Sequence, residues 1–299
     1  MRAVVLHEVG GDLAVEEVPE PAGDHVLEVR AVGVNFADTL IRRGFYPQMP
    51  ELPHVLGNEV AGDFDGRRVI AFPRASGGYA ERVAVDSEWV FPLPDNASYA
   101  GGAAFFTTYL TAHIPLTYQL HVTSTSVVLV HAGAGGVGTA AIQLAKNLGA
   151  RVIATASTEE KRAFALSVGA DEALGYDELE GLQVDAVLDP VGGDVFTRSL
   201  ALLNPLGTIV AIGFIDGPWQ DPSVQWLVGR NATVAGFYLG RLIRLRPDIV
   251  RSAARDLLEL WAAGRIDPVV GHRFPLEGAA DAHALIESRR HVGKVVLEP

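Results

Sequence analysis

The sequence predicts an α/β protein in which a doubly wound parallel sheet is joined to a β-rich segment. Three observations predict it. Residues 1 to about 110 carry short β-branched runs separated by Gly, Pro and Asp turns. From about residue 111, strand-like and helix-like stretches alternate, the pattern of βαβ units and a parallel sheet. A glycine-rich turn stands between the first of these strands and the first helix.

In the first part, strands are expected at 3–6, 26–32, 68–72 and 80–85, with a loop at 45–53 that holds three prolines. In the second, a buried-type strand at 127–131 leads to a helix at 136–148 that Gly149 ends. A strand at 151–156, a helix at 159–168, a strand at 184–188, a helix at 195–203 and strands at 208–213 and 233–239 come next. The tail from 240 to 299 reads as helices at 248–263 and 279–288 and a last strand at 294–297.

With 299 residues the chain suits two domains. Its 48% apolar and 20% charged residues are ordinary for a globular protein. No apolar run reaches the ~18 residues of a membrane span. The N-terminus lacks a signal-peptide layout, so a cytoplasmic location and no membrane partner are expected. The absence of Cys excludes disulfides and thiolate metal sites. The net charge of −12 disfavours nucleic acid as a partner.

The run Val127-Val128-Leu129-Val130-His131-Ala132-Gly133-Ala134-Gly135-Gly136-Val137-Gly138 contains G-x-G-x-x-G as Gly133, Gly135 and Gly138. Glycines let backbone approach a pyrophosphate, and the helix that starts at Gly136-Val137 offers free N–H groups and a positive dipole end. A Rossmann dinucleotide site is therefore expected. NAD-selective sites carry an acid at the end of the second strand. Here that strand ends Ala156-Ser157-Thr158, with Lys161 in the next helix. A hydroxyl and a lysine suit the 2′-phosphate of NADPH. Ser157 or Thr158 also fits a helix N-cap and Lys161 a solvated helix position, and both roles are compatible.

The segment from Val127 to Asp171 closely resembles the nucleotide-binding segment of the zinc-free quinone oxidoreductases, within the medium-chain dehydrogenases/reductases. So does Gly33-Val34-Asn35-Phe36-Ala37-Asp38-Thr39-Leu40-Ile41-Arg42-Arg43-Gly44-Phe45-Tyr46-Pro47 on the substrate side, and the ending Gly293-Lys294-Val295-Val296-Leu297. The resemblance spans nearly the whole chain. It implies a GroES-like β-rich catalytic domain from residues 1–110 and 240–299, a Rossmann domain at 111–239, and a cleft between them for the nicotinamide. It places Asn35, Asp38 and Tyr46 on the substrate side. It also matches Thr111, at the start of the helix into the Rossmann domain, Tyr176, Gly193, Gly213, Phe214, Phe237 and Lys294 to cofactor contacts. A homodimer joined through the edge strand near 233–239 is a further implication.

Two departures bear on the chemistry. Zinc alcohol dehydrogenases carry Gly-His-Glu where this chain has Gly57-Asn58-Glu59, and no His residues form a close metal-type pair. The segment after Val60-Ala61-Gly62 is shorter than is usual in the family. Without a metal, substrate activation falls to hydrogen bonds. Tyr46 is the best donor to an oxygen that gains charge in hydride transfer, unless it only packs its loop. Asn35 could instead make a side-chain-to-backbone bond, and Asp38 pairs naturally with Arg42 at i,i+4. The expected activity is NADPH-dependent hydride transfer to a quinone or similar conjugated carbonyl. An enoyl or alkenal reductase shares the substrate-side pattern, and a non-catalytic NADPH-binding structural or sensor protein is the alternative of another class.

Overall fold

The computed structural model describes residues 1–23, 25–73 and 76–299. They form two compact units, Met1–Thr107 with Asp267–Pro299, and Thr108–Ile266.

In the first unit, strands Val270–Pro275, Lys294–Glu298, Val26–Val34, Val60–Phe64, Arg67–Ala71 and Val90–Pro92 lie side by side in that order, and Arg82–Ala84 also pairs with Val26–Val34. Strands Leu13–Glu17, Arg2–Leu6 and His54–Val55 form a separate small sheet. The core packs Leu27, Val29, Val32, Val60 and Tyr79 from the strand region against Leu276, Ala279 and Ile286 from the C-terminal segment. Two registers build one end of the larger sheet. Val295 lies opposite Val34, and Val32 lies opposite Val60, both antiparallel. Lys294 at the start of one strand, Asn35 just past the end of the second and Glu59 just before the third are thereby brought together.

The second unit holds a six-stranded parallel sheet in the order Glu172–Leu174, Arg151–Thr155, Val127–Val130, Val184–Asp189, Leu203–Ala211, Thr233–Gly236. The chain enters at Val127–Val130, builds outward in one direction and then returns to build in the other. The strand order therefore reverses beside the first strand, where ligands bind in doubly wound sheets.

Several elements differ from expectation. The second unit extends to Ile266, so the segment 240–266 does not return to the β-rich part. Helix Pro247–Ala262 buries Val250, Ala253, Ala254, Leu257 and Trp261 along one face within the second unit, next to helix Leu239–Leu245. Such a stripe reads the same whichever sheet it covers. The expected strand at 233–239 stops at Gly236, because Tyr238 caps the helix that begins at Leu239. Strand Glu172–Leu174 and helix Val224–Arg230 were not expected. Thr111 does not start a helix; it lies inside Phe106–Ile114. Among the described residues no helix is long and apolar enough to cross a membrane.

Candidate active site

At the end of strand Val127–Val130 the chain turns through Ala132 at φ 51° and enters helix Gly136–Asn147. Gly138 is required by contact: a Cβ there would sit 2.2 Å from the Ala132 carbonyl oxygen and 2.7 Å from Gly133 Cα. The N-cap, Gly135, supplies no side-chain acceptor, so the first-turn N–H groups at Gly136, Val137 and Gly138 are not occupied by a side-chain cap. A tight turn, bare backbone and a positive dipole end suit a diphosphate.

His131 stiffens this turn from below. It is fully buried, with Nδ1 2.8 Å from Thr155 Oγ1 and Nε2 2.7 Å from Ser199 Oγ. Ser199 donates its own hydrogen to the Val195 carbonyl, so it accepts from His131 Nε2–H, and Thr155 donates to Nδ1. Burial pushes the imidazole down to about 3, which keeps it neutral. Its ring lies 6.0 Å from that of Tyr176. The sequence gives no hint of His131, because a lone His on a strand carries no signal without its two hydroxyl partners.

The region after the second strand divides the work between neighbours. Thr158 caps helix Glu159–Val168 and accepts from the Lys161 N–H at 3.3 Å. Ser157 is left exposed and Lys161 half-buried, its ammonium pKa lowered by burial. At the carboxyl ends of the next strands, the buried Asp189 carboxylate accepts from Val191 N–H at 2.7 Å and from Gly192 N–H, fixing the approach to Gly193, the first residue of helix Gly193–Leu200. Burial raises the Asp189 carboxyl to about 6. Gly213 and Phe214 follow strand Leu203–Ala211, with Phe214 edge-on to Trp219, and Phe237 N–H donates to the Ala211 carbonyl. The sequence-expected positions Gly133, Gly135, Gly136, Val137, Gly138, Gly193, Gly213, Phe214 and Phe237 thus gather at one edge of one sheet. Thr111 is half-buried on its helix, one turn from the strongly buried Thr108.

The first unit holds the other group. Asn35 caps helix Phe36–Arg42, and its N–H donates to Asp38 Oδ2 at 2.8 Å. The Asn35 amide oxygen accepts from the Lys294 ammonium, and its Nδ2 donates to Glu59 Oε1 at 2.8 Å. Lys294 also forms an ion pair with Glu59; the two side chains are 4% and 0% exposed. The second Glu59 oxygen accepts from Thr107 N–H at 2.8 Å. Glu59 is not singled out by the sequence. Its partners lie 24, 48 and 235 residues away, so no local pattern marks it.

Two expectations are corrected here. Asp38 does not pair with Arg42: the guanidinium turns to the Gly11 carbonyl at 3.0 Å, while buried Asp38 accepts from Asn35 N–H and from Tyr79 OH. Tyr79 in turn accepts from His283 Nε2 at 3.1 Å. Burial raises the Asp38 carboxyl to about 6, against the pull of Asn35 N–H and Lys294. Asn35 sits in a capping box with Asp38, and its amide is also consumed by side-chain bonds to Glu59 and Lys294. Lys294 does not reach outward to a cofactor; its ammonium is spent on Asn35 and Glu59. Tyr46 is half-buried, in a loop where Arg43 stacks over exposed Phe45. Of the three substrate-side residues, Asn35 and Asp38 are buried scaffold and Tyr46 keeps contact with the surface.

Among the described residues no three His, Asp or Glu side chains gather as a metal site, and position 58 holds an amide.

The chain matches the family model for the alcohol dehydrogenase GroES-like domain over residues 21–95, and that for a zinc-binding dehydrogenase over residues 168–297. It is 33% identical to the Bos taurus quinone oxidoreductase-like protein 2, covering 99% of this chain and 92% of that protein. The Thermus thermophilus quinone oxidoreductase, solved also as a complex with NADPH, is 38% identical over the full length of both chains with a TM-score of 0.89. The Escherichia coli quinone oxidoreductase complexed with NADPH is 31% identical, also over both full lengths, with a TM-score of 0.90. With these likenesses over the full length of the chain, it belongs to the quinone oxidoreductase family of the medium-chain dehydrogenases/reductases.

Proposed function

We propose that the chain is an NADPH:quinone oxidoreductase that transfers hydride to a conjugated carbonyl acceptor without zinc. The observation that carries this reading is the turn at Gly133–Gly138, where backbone packs too closely for any side chain and no side-chain cap occupies the helix N-terminus. NADPH supplies the hydride; the chain's residues bind, orient and polarise. The turn holds the diphosphate. Ser157 and Lys161 take the 2′-phosphate, with no acid at the end of the second strand to repel it. Tyr46 donates to the acceptor oxygen as charge gathers there. The Asn35–Glu59–Lys294 cluster holds the substrate side rigid from behind. The acceptor takes two electrons with the hydride, and one proton from solvent completes the quinol.

Cofactor choice tests the 2′-phosphate assignment. Fluorescence titration should give much tighter binding of NADPH than of NADH. Lys161→Ala should weaken NADPH alone, by about 1.5–3 kcal/mol, the worth of a hydrogen bond to a charged group. Equal affinities in the unaltered protein, or an unchanged preference in Lys161→Ala, would refute it.

We also infer a homodimer. Thr233–Gly236 is an edge strand, and beside it helix Val224–Arg230 exposes Val224 and Val228, one turn apart, at 75% and 71%. Bare edges and apolar patches of this kind are normally covered. Light scattering at micromolar concentration should report twice the 31.8 kDa of one chain; a single-chain mass contradicts it.

A further inference from the structure

We propose that Asn58 is a second catalytic hydrogen-bond donor, whose Nδ2–H binds the acceptor's carbonyl oxygen as it becomes an oxyanion. This role rests on the hydride-transfer reading above.

Hydrogen-bond polarity, passed outward from Lys294, decides how Asn58 is turned. A lysine ammonium can only donate. Lys294, ion-paired with Glu59, therefore faces the oxygen of the Asn35 amide and fixes which way that amide points. The Asn35 NH2 must then face the other way, and it has two hydrogens. One goes to Glu59 Oε1 at 2.8 Å. The other faces the side chain of Asn58, with Oδ1 at 3.5 Å. That contact is long, but its sign is decided: an NH2 turned toward an NH2 would repel, so Asn58 presents its oxygen inward. Its own NH2 is turned away from the cluster, and it has no hydrogen-bond partner among the described residues. A buried ion pair thus sets the polarity of an amide two hydrogen bonds away.

The backbone around Asn58 is held. Gly57 lies at φ 90°, and a Cβ there would sit 2.5 Å from the Tyr79 ring. Glu59 on the other side is fully buried. Asn58, between them, is half-buried and reachable by a small ligand. A fixed, outward-facing N–H donor is what an oxygen that gains charge requires. When hydride adds to the conjugated system, its electron pair displaces the carbonyl π pair onto oxygen. Asn58 stabilises that charge without giving up a proton; solvent protonates the oxygen afterwards.

Two substitutions separate this role from a structural one. Asn58→Ala removes the donor. Asn58→Asp keeps an oxygen for Asn35 to bond, and turns a second oxygen, negatively charged, toward the acceptor. If Asn58 only braces Asn35, Asp should outperform Ala. If it binds the oxyanion, Asp should be worse than Ala. With NADPH and 1,4-naphthoquinone above neutral pH, Asn58→Ala is expected to lose on the order of a hundredfold in kcat/KM. Asn58→Asp should lose more, with NADPH affinity unchanged in both. Either variant at the unaltered protein's kcat/KM, or Asp equal to or better than Ala, overturns the role of Asn58 and leaves the hydride reading standing. An unaltered protein that consumes no NADPH with the quinone overturns both.

Discussion

Lys294→Met is expected to destabilise the first unit by about 3–5 kcal/mol, the usual loss when one partner of a buried ion pair is removed. Met fits the volume of the lysine stem but leaves the Glu59 carboxylate, 0% exposed, without a cation. The Asn35 Nδ2 and Thr107 N–H donors remain, and they do not neutralise a full charge in a place water does not reach. The Asn35 amide also loses the donor that orients it. Adding Glu59→Gln should restore much of the loss, since removing both charges together removes the uncompensated one. Urea unfolding followed by circular dichroism checks both statements. A Lys294→Met protein as stable as its parent would show that the pair carries little of the unit's stability, and a double variant no better than the single would show that the loss does not come from an uncompensated Glu59 charge.

How far apart two interacting residues lie in the chain decides whether their contact can be read from sequence. The strand, turn and helix from Val127 to Asn147 are legible, because the features that make them are contiguous: an apolar run, a G-x-G-x-x-G spacing and a helical period. The N-cap after the second strand is legible as a choice between Ser157 and Thr158, which backbone geometry resolves for Thr158. Asp38 misleads because i,i+4 spacing offers Arg42 as a partner. Tyr79, 41 residues away, and the Asn35 N–H take the carboxylate instead, and Arg42 turns to Gly11. Lys294 is legible as a residue of the site region but not in its partners. Those depend on the pairing of the last strand with Val26–Val34, a register that no window of sequence contains. The boundary at Ile266 escapes for a similar reason, since the apolar stripe of Pro247–Ala262 states that the helix is buried and not against what.

The largest functional effect is expected at Gly138. An alanine there would put a methyl 2.2 Å from the Ala132 oxygen, against backbone on both sides of the turn that holds the cofactor. Neither wall is a flexible side chain, so the turn itself must open, and the close approach of backbone to diphosphate is lost with it. NADPH-dependent quinone reduction without zinc is therefore tested most directly by following NADPH absorbance with 1,4-naphthoquinone as acceptor, in EDTA-treated protein, for the unaltered chain and for Gly138→Ala side by side. Steady NADPH oxidation matched one for one by quinol is expected, indifferent to EDTA, with loss of that turnover in Gly138→Ala. No turnover by the unaltered protein, turnover that only added zinc restores, or full turnover by Gly138→Ala would contradict it.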